Sequence, residues 1–145
     1  YKFQIGSIEL FKDLCALGVT PNKSRRMEVP SIPRKFEPDF IRGYFDGDGN
    51  VWVGVSRRKS VKDNHKMLVG FTSASREFLS DIKEILKVRG IRGGSLFSVK
   101  NKDCSRLNLS TLDALKLYKI MYNKPHKLFL KRKKLVFERF IKMRA

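Results

Sequence analysis

Residues 40–50, FIRGYFDGDGN, constrain this chain more than any other stretch. Pro38 suits the first turn of a helix and Asp39 its positively polarised end, so a helix is predicted over about 38–48. That helix would carry Gly43 and Gly47, and an interior glycine costs about 1 kcal/mol relative to alanine. The two glycines are one helical turn apart and share a face. A face without side chains lets another helix approach backbone to backbone. Phe40, Ile41, Tyr44 and Phe45 are expected to pack around that crossing. Asp46 and Asp48 fall at the C-terminal end, where the helix dipole disfavours a carboxylate. Acids placed there point to a cation rather than to stability. A calcium loop starting at Asp46 would need a glycine at its sixth position and a glutamate at its twelfth. Those positions hold Val51 and Arg57, so that reading fails. What remains is either a solvated turn with two surface acids, or a site where a hard cation meets phosphates.

The stretch after the helix alternates. Val51, Val53 and Val55 interleave with Trp52, Gly54 and Ser56, the pattern of a half-buried strand. Residues 57–66 are polar and basic and read as a hairpin tip, with His65 in the loop; residues 67–73 return as a second strand. Ser75 starts a helix through Phe78, Leu79, Ile82, Ile85 and Leu86 that stops at Gly90. Residues 95–100 and 105–110 read as a second hairpin. Thr111 is expected to cap a helix through Leu112, Leu115 and Ile120, broken by Pro125, and a basic helix covers roughly 127–143. The order is that of an α+β domain with antiparallel pairs.

The N-terminal stretch echoes a later one. Tyr1, Phe3 and Ile5 alternate as a short strand, Ser7 caps a helix through Ile8, Phe11, Leu14 and Leu17, and Gly18 stops it. Residues 3–21 align without gaps on residues 107–125 in strand, cap, helix face and closing proline. Internal repeats take priority in reading a sequence. We therefore expect residues 1–36 to be the tail of a preceding, similar unit with a proline-rich connector, and residues 37–145 to form the main domain.

Charge narrows the partner. The chain has 32 Lys and Arg against 14 Asp and Glu, a net charge of +18. Such a field attracts polyanions, and nucleic acid is the first of them. With 41% hydrophobic residues, including 11 Phe, the chain has enough apolar material for a core and is no disordered basic tail. No apolar run is long enough to span a bilayer, so no membrane partner is expected. Cys15 and Cys104 are too few for a disulfide scaffold or a four-ligand zinc site, even with His65 and His126. They are expected as buried thiols in a reducing compartment.

IRGYFDGDG, residues 41–49, resembles the LAGLIDADG signature of homing endonucleases. Gly43, Asp46, Asp48 and Gly49 match identically; Ile41, Tyr44 and Phe45 match in apolar character and Gly47 in size. The resemblance implies an αββαββα fold from Pro38 onward with a saddle-shaped antiparallel sheet, and a site-specific double-strand DNA endonuclease dependent on Mg²⁺. It implies that Asp48 is the metal-binding acid, that the Gly47 carbonyl adds a metal contact, and that Asp46 is a structural acid of the packed motif helices, with Gly43 and Gly47. It implies a catalytic or supporting role for Lys133, in FLKRKKLVF, and makes Lys23 the matching lysine of the preceding unit. It also implies a water-holding role for Ser73. The second motif helix would come from an upstream half or from a homodimer. The gene would travel in an intron, in an intein or alone. The alternative on the same scaffold is a non-cleaving binder, an RNA maturase or a DNA-binding regulator.

Alternation then sorts the sheet. With Val51, Val53 and Val55 facing the helices, Trp52, Gly54, Ser56 and Arg58 face the groove, although a core role for Trp52 stands beside this. Leu107 and Leu109 inward put Arg106, Asn108 and Ser110 outward. Phe97 and Val99 inward put Ser98 and Lys100 outward. Arg57, Arg58, Lys59, Lys62 and Lys66 at the first hairpin tip are expected to grip phosphates.

Overall fold

The structure is a computed structural model, and it describes residues 4–19, 21, 23–55, 65–124 and 128–144. Helix α1 spans Ile8–Ala16. Helix α2 (Glu37–Asp48) leads into strand β1 (Asn50–Val55), which pairs with β2 (His65–Ser73). Helix α3 (Arg76–Val88) is followed by β3 (Ser95–Ser98), β4 (Ser105–Leu109), α4 (Thr111–Tyr122) and α5 (Lys131–Arg144). The four strands are antiparallel neighbours in the order β1-β2-β4-β3. This is the predicted α+β order. The apolar pleat of β2 and β4, Met67, Val69, Phe71, Leu107 and Leu109, is fully buried against Ile41 and Phe45 of α2, Phe78, Leu79, Ile82 and Leu86 of α3, and Leu117 and Phe137 of α4 and α5. Helices α2 to α5 all contribute to one core on one sheet face, and the opposite pleat stays open.

Local chemistry explains most boundaries. Pro38 lies in the first turn of α2 with Glu37 and Asp39 beside it. Ser75 accepts a hydrogen bond from the Phe78 N–H and caps α3, and Gly90 takes φ +89° to end it. Five expectations are corrected. Thr111 does not cap α4. Its hydroxyl accepts from the Met67 N–H and donates to the Met67 carbonyl, stitching α4 to β2. The face α4 buries is Ala114, Leu117 and Met121, while Leu112 is 70% exposed. β3 is shorter and in opposite phase: Leu96 faces Leu107 in the core, Phe97 pairs with Arg106 and is 41% exposed, and Lys100 lies in the turn beyond. His65 and Lys66 belong to β2, not to a loop. The free thiols Cys15 and Cys104 are half-buried, not buried. Residues 1–3 of the expected first strand, the hairpin tip over 56–64, and Pro125 and His126 lie outside the described residues.

Helix α1 forms as predicted, with Ser7 accepting from the Leu10 N–H. It buries no residue. Ile8, Phe11, Leu14 and Leu17 are all exposed. Ser7 and Ser110 hold the position before the first helical residue of α1 and α4, so the helix starts lie one residue nearer than the sequence offset. The helix has the amphipathic pattern of a packed element and no partner for it among the described residues.

Candidate nucleic-acid interface and metal-binding end of the motif helix

Helix α2 positions everything at its C-terminus. Ile41 and Phe45 point into the core. Phe40 and Tyr44 pack edge-on against Phe78 at ring centroid distances of 6.3 and 4.7 Å. Arg42, which the sequence reading passed over, is buried. Its Nε donates to the Leu128 carbonyl (3.2 Å), its Nη1 to the Met121 carbonyl (3.1 Å) and its Nη2 to Asp39 (2.7 Å), tying α2 to the end of α4. Nothing in its sequence context marks it, because both carbonyls come from the far end of the chain.

The glycines divide sharply. A Cβ added to Gly43 or Gly47 would meet nothing within 4 Å, so that face of α2 is open. A Cβ on Gly49 would lie 2.7 Å from the Phe45 carbonyl oxygen and 2.8 Å from its Cα. Gly49 is the turn from helix to strand, and its N–H bonds the Phe45 carbonyl at 2.9 Å. Gly43→Ala should therefore raise the stability of the chain alone by up to about 1 kcal/mol, while Gly49→Ala should lower it by about 2 kcal/mol, because backbone cannot turn aside. Chemical denaturation of both variants checks the pair; equal shifts would contradict the geometry.

Asp48, the last residue of α2, is exposed, and no side chain or backbone group among the described residues donates a hydrogen bond to it. It lines a cleft of about 380 Å³ with Ser24, Tyr44, Ser73 and Cys104. Ser73 is buried there and accepts from the Ser75 N–H at 3.0 Å. Tyr44 donates to the Thr72 carbonyl (2.6 Å), and its phenol is pushed up to about 12, first by burial, with the charge of Asp48 adding to it. Two residues singled out separately, Asp48 and Ser73, are thus brought to one cleft.

Asp46 turns the other way. Its Oδ2 accepts from the Leu130 N–H at 2.8 Å, just ahead of α5, and its Oδ1 is buried without a partner among the described residues. Lys133 completes this junction. Its ammonium donates to the carbonyls of Phe45 (2.6 Å), Asp46 (2.9 Å) and Gly49 (2.5 Å), the last turn of α2. All three protons are used, on carbonyl groups that carry the negative end of the helix dipole. Burial holds the Lys133 pKa below the usual lysine value, with Arg132 adding to the shift and Asp46 and Asp48 opposing it. The exposed cation next to it is Arg132, which lines a second cleft of about 430 Å³ with Gly47, Gly49 and Asn50. Among the described residues no group of three or more His, Cys, Asp or Glu could hold a metal. The oxygen donors at hand are the Asp48 carboxylate and the adjacent helix-end carbonyl of Gly47. These suit a hard cation that keeps most of its sphere for water and phosphate.

The open sheet face is polar at its centre. Asn50, Lys66, Arg106 and Asn108 lie on it, as does Trp52, which is 51% exposed with its ring over Gly54, on the open face rather than in the core. Arg57, Arg58, Lys59, Lys62 and Ser56 fall outside the described residues, as does the Lys23 side chain. No helix of the described residues is long and apolar enough to cross a membrane.

An open-faced α+β sheet, a glycine-lined helix and a lone acid at that helix's end describe a class, and comparison with known proteins gives it a family. The model of the LAGLIDADG-like domain matches residues 35–119, and this chain belongs to that family. A Thermococcus kodakarensis protein described as a probable translation initiation factor IF-2 is 35% identical over 101 residues; the match takes in 67% of this chain and 8% of that protein, so the chain spans a small part of its length. Among solved structures, the archaeal intron-encoded homing endonuclease I-Vdi141I complexed with DNA is similar at a TM-score of 0.60 and 19% identity, over 74% of this chain and 67% of that one. The homing endonuclease I-CvuI in complex with its target in the presence of Ca gives 0.57 and 19%, over 72% and 66%. The LAGLIDADG meganuclease I-AabMI bound to uncleaved DNA gives 0.54 and 21%, over 72% of this chain and 35% of that one. The fold is that of the LAGLIDADG homing endonucleases.

Proposed function

We propose that this chain is one catalytic unit of a site-specific endonuclease that hydrolyses phosphodiester bonds of double-stranded DNA with Mg²⁺. The observation that carries the reading is Asp48, a carboxylate left exposed and without a hydrogen-bond donor among the described residues, where the helix dipole opposes it, at the end of a helix whose glycine face is open. A carboxylate in that position is explained by a cation it binds. Mg²⁺ held by Asp48 and the Gly47 carbonyl would supply Lewis acidity at a phosphate oxygen and an activated water. The chain's own groups do the rest. Arg132 reaches the backbone phosphate from its cleft beside Gly47, because its guanidinium is exposed and Lys133 has no proton to spare. Lys133 positions the end of α2, and with it Asp48. Ser73 orders solvent in the cleft it shares with Asp48. The sheet face enters the major groove, where base edges carry a unique code.

One Asp48 serves one strand. A double-strand break needs a second motif helix seated on the Gly43–Gly47 face, from a preceding unit whose tail is residues 1–36 or from another copy of this chain. The unpacked apolar side of α1 supports the first of these. The small share of the initiation factor that matches supports a mobile nuclease segment carried inside a host reading frame, as an intein is.

The test is cleavage of a randomised duplex library by the 145-residue chain in Mg²⁺ and, in parallel, in EDTA. Defined nicks or breaks in Mg²⁺ and none in EDTA are expected. Tight, sequence-selective binding without any new ends in Mg²⁺ would put the regulator reading ahead, and preference for structured RNA over duplex would put the maturase ahead.

A further inference from the structure

One row of the open pleat crosses all four strands. Asn50 on β1 pairs with Gly70 on β2, Gly70 with Asn108 on β4, and Asn108 with Ser95 on β3. Gly70 sits at the middle of the sheet, and the space its side chain would fill is taken. A Cβ there would lie 2.5 Å from Asn50 Oδ1, 3.0 Å from Asn108 Oδ1 and 3.3 Å from Arg106 Nε. Three polar side chains from the two flanking strands therefore converge over one glycine.

Arg106 is the centre of this group. Its Nη2 donates to Asn50 Oδ1 at 3.3 Å. Its Nε is buried and has no hydrogen-bond partner among the described residues. Its Nη1 makes no hydrogen bond among them either. A buried donor left unpaired is costly, and such groups in a native structure call for a reason. A guanidinium held at Nη2 by Asn50, with its Nε and Nη1 donors unspent, is poised for an acceptor outside the chain. In the major groove the acceptor pair that fits an arginine fork is O6 and N7 of guanine.

We propose that Asn50, Arg106 and Asn108, gathered over Gly70, form one base-reading unit in which Arg106 reads a guanine and Asn50 holds it in place. This rests on the reading of the open sheet face as a duplex DNA surface. Gly70 is the specificity determinant that makes the unit: the absent side chain lets Asn50, Asn108 and Arg106 close inward over it. Asn50 is a positioning residue, since it acts through Arg106.

The experiment is selection of bound duplexes from a randomised library by the full chain and by its Gly70→Ala, Arg106→Ala and Asn50→Ala variants, with melting curves for each. Gly70→Ala is expected to fold, because the atoms its Cβ meets are side-chain ends that can turn away. The unaltered chain should select guanine by about tenfold or more at one position of its site. Arg106→Ala and Gly70→Ala should flatten that position and leave the others unchanged, and Asn50→Ala should weaken the same position by less. Arg106→Ala lowering affinity evenly for every sequence, with a shallower salt dependence, marks a phosphate contact and overturns the proposal. So does Arg106→Ala, or a folded Gly70→Ala, with the full selection pattern intact. An unaltered chain that selects no sequence at all removes the duplex-binding reading itself, and the base-reading unit falls with it.

Discussion

Asp48→Asn should eliminate strand cleavage in Mg²⁺ while leaving duplex affinity and the melting temperature intact. The carboxylate is exposed and supports no other group among the described residues through a hydrogen bond, so its loss opens no cavity and orphans no donor there. It stands on the C-terminal residue of α2, where a negative charge adds to the helix dipole. Neutralising it relieves about 0.3–1 kcal/mol of that repulsion, set against a lost attraction to the nearby Lys133 ammonium. Stability is therefore expected to hold or rise slightly. Catalysis is expected to fall by roughly 10²–10³-fold or more, since several kcal/mol of charge stabilisation at the phosphate go with the cation. Cleavage at the unaltered rate in Asp48→Asn would sink the metal-acid assignment. A fall in cleavage matched by a fall in melting temperature would make Asp48 a structural residue instead.

Lys133→Met should produce the opposite signature, a loss of fold before a loss of chemistry. Methionine keeps the length and the apolar stem, so packing changes little. What disappears is the ammonium that joins the Phe45, Asp46 and Gly49 carbonyls. The Phe45 oxygen keeps its bond from the Gly49 N–H, and the other two lose a charged donor in a buried place. The expected loss is about 3 kcal/mol, or roughly 6–12 °C in melting temperature for a chain of this size. Lys133→Arg should rescue little, because a planar fork cannot place three protons where a tetrahedral ammonium does. Lys131→Met, on an exposed neighbour, should melt like the unaltered chain. If Lys133→Met did so as well, the clamp would carry no weight and a direct phosphate role would return.

These two residues show what a sequence exposes and what it hides. Asp48 was legible because local chemistry condemned it: an acid, after two glycines of one face, at the wrong end of a dipole. Strands β1 and β4 were legible by alternation, β2 over residues 67–73 as the return of a hairpin, and α3 by its cap and its stop. Lys133 was found as a motif position, yet its clamp was invisible, since the carbonyls it meets lie 84–88 residues earlier. Arg42 was missed for the same reason. The phase of β3 went wrong because SLFSVK offers apolar residues on both pleats, and only pairing with Leu107 and Arg106 decides which side Phe97 takes. Thr111 looked like a cap because its type and position fitted one; β2, passing beside it, offered its hydroxyl the Met67 N–H and carbonyl instead.

The unpacked helix α1 has a consequence for how the chain behaves over hours rather than how it is drawn. Nine residues without a buried side chain are too few to hold a helix by hydrogen bonding alone. Its amide protons should trade with deuterium almost as fast as those of a free peptide, while those of β2 wait for the whole domain to open. Slow exchange in both would mean that α1 has already found its apolar match. A ligand or second unit that supplied the match would be recorded first as silence in these amides, before any other probe registered its arrival.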